Sequence, residues 1–285
     1  MNQKHTLLAE TNHPFMSEKP YILGTHQTEL ERLGFQHRVW AADAAKLWQR
    51  AHVQRGMHVL DLGSGPGFAT FDLAELVNSD GSVTALDISE AFVDYGNQQA
   101  KARGYDHVTF IQGSVNELQL APNQFDAIYC RWVLSWVTGV KSIIAELAKL
   151  LKPGGVLMIQ EYAQWGTFRI TPEINAVRTM IEACRESWRV MPSEIDIAPH
   201  LPKMFVENNL SIEHKAPLER VSSPDELTWQ WPGTFLHIYS EQLIEMGLLS
   251  REEQQAFFDA WPKLEADPSA MIITPFMMEF IARKK

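Results

Sequence analysis

Cysteine is almost absent: Cys130 and Cys184 are the only two in 285 residues. Neither has a Cys or His partner at metal-ligand spacing, so no disulfide framework and no metal site are expected. Also missing is any uninterrupted apolar run of the ~18 residues a membrane helix needs, so no membrane insertion is expected. Basic charge is scarce, with 25 Lys and Arg against 35 Asp and Glu and a net charge of −10. A chain that grips nucleic acid through its phosphates shows the opposite balance, so no nucleic-acid partner is expected. Met1 to Phe15 carry one lysine and the short apolar piece Leu7-Leu8-Ala9. That is too little for a signal peptide, and a cytoplasmic protein is the expectation. Repeats, low-complexity tracts and linkers are absent as well. Residues 1–20, polar and containing Pro14 and Pro20, read as an N-terminal arm, and residues 21–285 as a single domain.

What is present centres on Val59-Leu60-Asp61-Leu62-Gly63-Ser64-Gly65-Pro66-Gly67-Phe68. An apolar run stops at a carboxylate and breaks into alternate glycines. The run Met57–Leu62 predicts a buried strand, and Phe68, Phe71, Leu73, Leu76 and Val77 the packed face of a helix. Glycines at such a turn let a ligand approach the backbone, and the helix N-terminus favours an anionic group. The dinucleotide fingerprint needs a glycine at its sixth position. Here that position is Phe68, which weakens the pyrophosphate reading.

Upstream, a helix opens at a Thr28–Glu31 capping pattern and carries Leu30, Leu33, His37, Trp40, Ala44, Leu47 and Ala51 at helical spacing. Tyr21, His26, Arg32, Gln36 and His37 lie at or beside it, where the segment 21–55 could fold over a cleft. Downstream, Ser82–Asp87 predicts a second strand ending in a carboxylate. At the carboxyl end of a parallel strand, Asp87 is placed to accept from the hydroxyls of a ribose. His107–Gln112, Phe125–Cys130 and Val156–Glu161 predict three further strands. Between the last two, Val140, Ile143, Ile144, Leu147, Leu150 and Leu151 mark a helix that Lys152-Pro153-Gly154-Gly155 stops. The alternation implies a doubly wound sheet with ligands at the strands' carboxyl ends.

The glycine loop, Asp87, Gly113-Ser114-Val115, Phe125-Asp126 and Leu151-Lys152-Pro153-Gly154-Gly155 together resemble the class I, Rossmann-like S-adenosylmethionine-dependent methyltransferases. The resemblance covers residues 20–162, close to the ubiquinone and menaquinone biosynthesis branch. It implies an α/β fold: a doubly wound, seven-stranded, mostly parallel sheet with an antiparallel last strand. By the same resemblance, Asp61, Gly63, Ser64, Gly65 and Gly67 frame the amino-acid end of S-adenosylmethionine, and Asp87 holds the ribose with Ile88 against the adenine. Gly113, Ser114 and Val115 meet the adenine edge, while Arg131, Trp132 and Trp136 border the methionine moiety and the acceptor. Tyr21 and Arg32 join them from the N-terminal segment. Many relatives have an acidic residue where Ser114 stands, and a histidine near Trp136.

Beyond the cofactor-binding core of residues 56–162, segments 163–209 and 222–268 read as helical insertions forming a cap. Thr171-Pro172-Glu173 predicts a helix start, a further helix is expected over 193–208, and Leu210–Val221 predicts a sixth strand. Asp225–Leu264 reads as helical with a stop at Gly247 and a capping box at Ser250–Glu253. Met271–Thr274 and Phe276–Ile281 together predict the last strand, beside the sixth. The insertions hold Trp165, Phe168, Trp188, Trp229, Trp231, Phe235, Tyr239, Phe257 and Trp261. Most must form the insertions' own core, with a few left to line a pocket for an apolar or aromatic acceptor.

The expected function is methyl transfer from S-adenosylmethionine to a small molecule, with S-adenosylhomocysteine as product. RNA or protein methylation and a non-catalytic cofactor-binding role are the alternatives, and a homodimer is compatible with either. If the acceptor arrives protonated a base is needed; His37, Glu161, Tyr162 and His237 are candidates without a signature.

Overall fold

In the computed structural model, residues 27–117 and 119–285 are described. Tyr21, His26, the arm over residues 1–20 and the Thr28 side chain lie outside that range.

Helix α1 (Gln27–Arg50) leads into β1 (His58–Leu62), α2 (Phe68–Val77), β2 (Ser82–Asp87), α3 (Glu90–Arg103) and β3 (Val108–Gln112). Then follow β4 (Phe125–Arg131), α4 (Val140–Leu150), β5 (Leu151–Gln164), β6 (Arg169–Thr171), α5 (Asn175–Val190) and α6 (Leu201–Glu207). The chain closes with β7 (Leu210–Leu218), β8 (Val221–Ser222), α7 (Leu227–Glu245), α8 (Arg251–Glu265), β9 (Met271–Ile273) and β10 (Phe276–Lys284).

The main sheet has seven strands in the order β3-β2-β1-β4-β5-β10-β7. Strands β1 to β5 pair in parallel, and β10 runs antiparallel to both β5 and β7. This is the expected seven-stranded sheet with an antiparallel last strand. Its inner strands are apolar on both faces because helices cover both. On one face Leu60, Ile128, Leu157 and Phe280 pack with α4 and α6. On the other Val59, Ala85, Ala127 and Met158 pack with α2, α3 and the second half of α1.

The local expectations meet several corrections. Leu76 is 38% exposed, off the packed face of α2. Strand β5 begins at Leu151, because the Pro153-Gly154-Gly155 turn stays within the strand after ending the helix. Thr171 closes β6 and Pro172 follows it through a cis bond, so α5 starts only at Asn175. The expected helix over 193–208 is shorter, a 3-10 turn at Ala198–His200 followed by α6. Helix α6 joins the sheet's core through Leu201 and Phe205 instead of the cap. The predicted sixth strand divides at Leu218 into β7 and β8. The last predicted strand divides too: β9 leaves for a second, three-stranded sheet, β6-β9-β8. Thr274 makes that corner, its N–H donating to Arg220 O at 2.9 Å and its Oγ1 accepting from Arg220 N at 2.8 Å.

The cap consists of α5, α7 and α8 on this small sheet, with a core that includes Trp165, Trp188, Trp229, Tyr239, Phe257 and Trp261. The Ser250 capping box forms as expected and starts α8.

Candidate active site

Strand β1 delivers Asp61 to the glycine loop, and the N–H groups of Gly63 and Ser64 tie that loop to Leu86 O at 2.8 and 3.0 Å. Gly63, Gly65 and Gly67 all adopt positive φ, at 68°, 54° and 93°, a region side chains rarely enter. Their surroundings differ. A Cβ on Gly63 would lie 2.2 Å from Val133 Cγ2, and one on Gly67 2.3 Å from Phe110 Cζ. Among the described residues, a Cβ on Gly65 would meet only Leu33 Cδ1, at 3.9 Å. The outer glycines therefore let the protein pack against itself, while the middle one keeps a cleft open.

Two carboxylates stand at the floor. Asp87 accepts from Gly65 N at 2.7 Å through Oδ2 and from Ser89 N at 2.9 Å through Oδ1. Burial still pushes its carboxyl up, against those two amides and that of Ile88. Asp61 accepts from Thr70 Oγ1 at 2.6 Å. Burial pushes Asp61 up to about 6, opposed by the Thr70 hydroxyl and the Arg131 charge. Each carboxylate oxygen has lone pairs in excess of the bonds it receives.

Arg131, ending β4, donates from Nη2 to His37 Nδ1 at 3.3 Å, and His37 Nε2 lies 2.9 Å from Asp72 Oδ2. With Nδ1 accepting, Nε2 carries the proton and donates to Asp72. Arg131 Nη1 is buried without a partner among the described residues. On α1, Arg32 pairs with Glu29 at 2.7 Å and donates to Gln36 Oε1 at 3.0 Å.

The opposite wall is aromatic. Trp132 has φ 53°, a left-handed conformation that costs a bulky residue about 1–3 kcal/mol. Its surroundings hold it there. Trp132 N donates to Gln160 O at 3.1 Å, and its ring lies between Trp231 at 5.4 Å and Tyr162 at 6.1 Å, nearly parallel to both. Directly after it, the N–H groups of Val133 and Leu134 both donate to Glu161 Oε1 at 2.7 Å. Burial nonetheless pushes the Glu161 carboxyl up to about 7.

These groups enclose a cleft of about 350 Å³ at the carboxyl ends of β1 to β5, closed on one side by α1 and on another by Phe235 of α7. That size and mixture of walls suit a small-molecule site.

Residues 53–216 match a family described as a methyltransferase domain. The chain belongs to this family. Among curated relatives, this methyltransferase-domain chain is 33% identical over 129 residues to demethylmenaquinone methyltransferase of Geobacillus stearothermophilus, covering 45% of this chain and 54% of that one. It is 26% identical over 194 residues to the ubiquinone/menaquinone biosynthesis C-methyltransferase of Shewanella piezotolerans, covering 61% and 77%. The chain thus spans about half the length of the first of these relatives and three quarters of the second. The fold is shared with the crystal structure of a SAM dependent methyltransferase from Aquifex aeolicus, at TM-score 0.54 and 15% identity over 92% of this chain and all of that one.

Within this methyltransferase domain, Arg32, His37, Asp61, Gly63, Ser64, Gly65, Asp87, Ile88, Gly113, Ser114, Val115, Arg131, Trp132, Trp136 and Tyr162 all line the one cleft. Gly67 does not; it is turned against Phe110. Two base candidates are also corrected. Glu161 lies off the cleft, its Oε1 occupied by two backbone amides. His237 sits in the cap core, Nδ1 at 2.7 Å from Gly233 O and its ring against Phe257, Phe258 and Trp261.

Of the large side chains in the insertions, Phe235 alone reaches the cleft among the described residues. Leu33 and Gln36 line it without having been assigned a site role, Gln36 having been named only among the polar groups beside the first helix, and so do Phe68, Asn116 and Tyr129. The helical spacing from Arg32 to Gln36 was the available signal for the first two. For Tyr129 there was none, because a buried tyrosine in a strand reads as core.

Proposed function

We propose that this chain transfers a methyl group from S-adenosylmethionine to a small apolar or aromatic molecule, leaving S-adenosylhomocysteine, as a cytoplasmic enzyme. The observation that carries the reading is the continuity of a polar floor at the strand ends with an aromatic wall, in one cleft. The names of the Geobacillus and Shewanella relatives, both quinone-biosynthesis methyltransferases, support a planar acceptor.

The lining suits the cofactor. Gly65 leaves space that a Cβ would fill, and Arg131 Nη1 is a buried donor without a partner among the described residues, suited to a carboxylate. Asp61 suits an ammonium group, and Asp87 the hydroxyls of a ribose. Ile88, 47% exposed, offers an apolar surface to adenine beside Ser114 and Val115. When bound, S-adenosylmethionine supplies a methyl group on a sulfonium, open to in-line displacement. The residues' work is then alignment and exclusion of water, which can contribute roughly 7–11 kcal/mol; Trp132, Trp136, Tyr162 and Phe235 are placed for it.

The cleft offers little as a base. Both nitrogens of His37 are engaged. Burial raises the Tyr162 phenol, which stays protonated at neutral pH. An acceptor that brings its own nucleophilic atom, such as an electron-rich ring carbon, fits this arrangement best.

Calorimetric titration with S-adenosylmethionine, S-adenosylhomocysteine and NAD tests the reading. Micromolar binding of the first two without the third is expected, and Asp87→Ala should weaken it roughly tenfold or more, about 1.4 kcal/mol or above. Normal affinity in that variant would remove the ribose role.

A further inference from the structure

The side-chain amide of Gln36 is oriented by its neighbours. Arg32 Nη1 and Trp231 Nε1 both point at the same Gln36 atom, each at 3.0 Å. Guanidinium and indole N–H groups only donate, so the atom they share is the oxygen, and chemistry settles which way the amide faces. The nitrogen is left with no partner among the described residues, and Gln36 lines the cleft. The Glu29–Arg32 pair stands behind it. A cationic donor on Oε1 polarises the amide and strengthens its N–H groups as donors.

The position of this donor separates it from the polar floor. Trp231 stacks on Trp132, and the Arg32 guanidinium lies 6.0 Å from the Phe235 ring. Gln36 therefore stands with Arg32 and Tyr162 among the polar groups at the aromatic end of the cleft.

We infer that Gln36 orients the methyl acceptor by donating a hydrogen bond from its side-chain amide to an oxygen on that molecule. The inference rests on the methyltransferase reading and narrows it. The acceptor is a planar, conjugated body carrying an oxygen that accepts, such as a ring carbonyl or an ionised hydroxyl. Gln36 cannot take a proton at any accessible pH, so its part is to fix the ring's rotation by holding that oxygen.

The test uses two unreactive probes that differ by one carbonyl, 1-tetralone and tetralin, titrated into the full chain with and without S-adenosylhomocysteine. The wild-type chain should prefer the ketone about tenfold, the effect of one hydrogen bond of about 1.4 kcal/mol. Gln36→Glu keeps an oxygen for Arg32 and Trp231 and replaces the donor by an acceptor oxygen, with a negative charge added. It should abolish the preference, leaving S-adenosylhomocysteine affinity within about threefold; Gln36→Leu should do the same if the helix–cap contact survives. No preference in the wild-type chain, or a preference retained by Gln36→Glu, overturns the inference. So does loss of S-adenosylhomocysteine binding in Gln36→Glu with the probe ratio unchanged, which would assign Gln36 to the cofactor. If the wild-type chain does not bind S-adenosylhomocysteine, the cofactor reading fails instead, and the probe ratio without it still decides Gln36.

Discussion

The floor of the cleft and its aromatic wall are built by different means. The floor is backbone and short polar side chains from the glycine loop and the first two strand ends: Gly65 N and Ser89 N donate to Asp87, and Thr70 donates to Asp61. The wall joins residues far apart, Trp132 and Tyr162 in the cleft, backed outside it by Trp231 against Trp132 and by Trp40 edge-on to both tryptophans. Hydrogen bonds fix the floor to a few tenths of an ångström and commit it to one ligand chemistry. Ring packing fixes only a shape. A fold organised this way can hold one cofactor while its acceptor side varies.

Breaking the wall gives the largest expected effect. Trp231→Ala removes a buried ring from the Trp40–Trp132 cluster and should cost about 3–5 kcal/mol in denaturant unfolding. Cofactor affinity should change by no more than a few fold. A large loss of both would show that the two regions are one cooperative unit.

Glu161 sits at the junction and predicts a pH dependence. Its folded pKa is raised from 4.5 to about 7, so the folded state binds the proton more tightly than the unfolded one. That contribution is fully present below about pH 4.5 and is lost as pH rises through 7. Asp61, raised from 3.8 to about 6, acts in the same direction but lower in pH. The interval from pH 6 to 7.5 takes in the Glu161 transition and only the upper part of that of Asp61. Gln at this position keeps an oxygen for the Val133 and Leu134 amides. Glu161→Gln should flatten the fall in stability there, a difference of about 1 kcal/mol across the interval, read from urea midpoints across pH. An unchanged slope would show that Glu161 is not the titrating group.

The smallest effect sharpens the floor itself. Gly67→Ala should destabilise the fold by roughly 1–3 kcal/mol through its clash with Phe110. Gly65→Ala should cost only about 1 kcal/mol of stability, from its φ alone, yet weaken S-adenosylmethionine binding tenfold or more. Equal behaviour of the two variants in unfolding and titration would dissolve the distinction between packing and ligand-facing glycines.

Much of the floor was legible in the chain. Glycine at positive φ, carboxylates at strand ends and the Pro-Gly-Gly stop are local features, dictated by sterics and capping. Assigning a purpose to each glycine was not possible, because Val133 and Phe110 reach the loop only after folding. The base candidates show the same limit. A glutamate at a strand end and a histidine in a helix carry no mark of whether a carboxylate meets two amides or a ring packs into a cap. The last strand was misjudged for a related reason: the edge of the small second sheet captures Met271–Ile273, and the corner at Thr274 sends Phe276 onward to the main sheet.

The sequence by itself determined the parallel core, the glycine loop, Asp87 at the end of its strand and the presence of a helical cap, since each depends on the periodicity and conformational limits of a short stretch. Only the tertiary structure decided that α1 closes the cleft, that Phe235 represents the cap within it, and that the Gln36 amide oxygen is held by Arg32 and Trp231. Those outcomes depend on contacts across scores of residues, among them the 195 between Gln36 and Trp231, and no local preference encodes them.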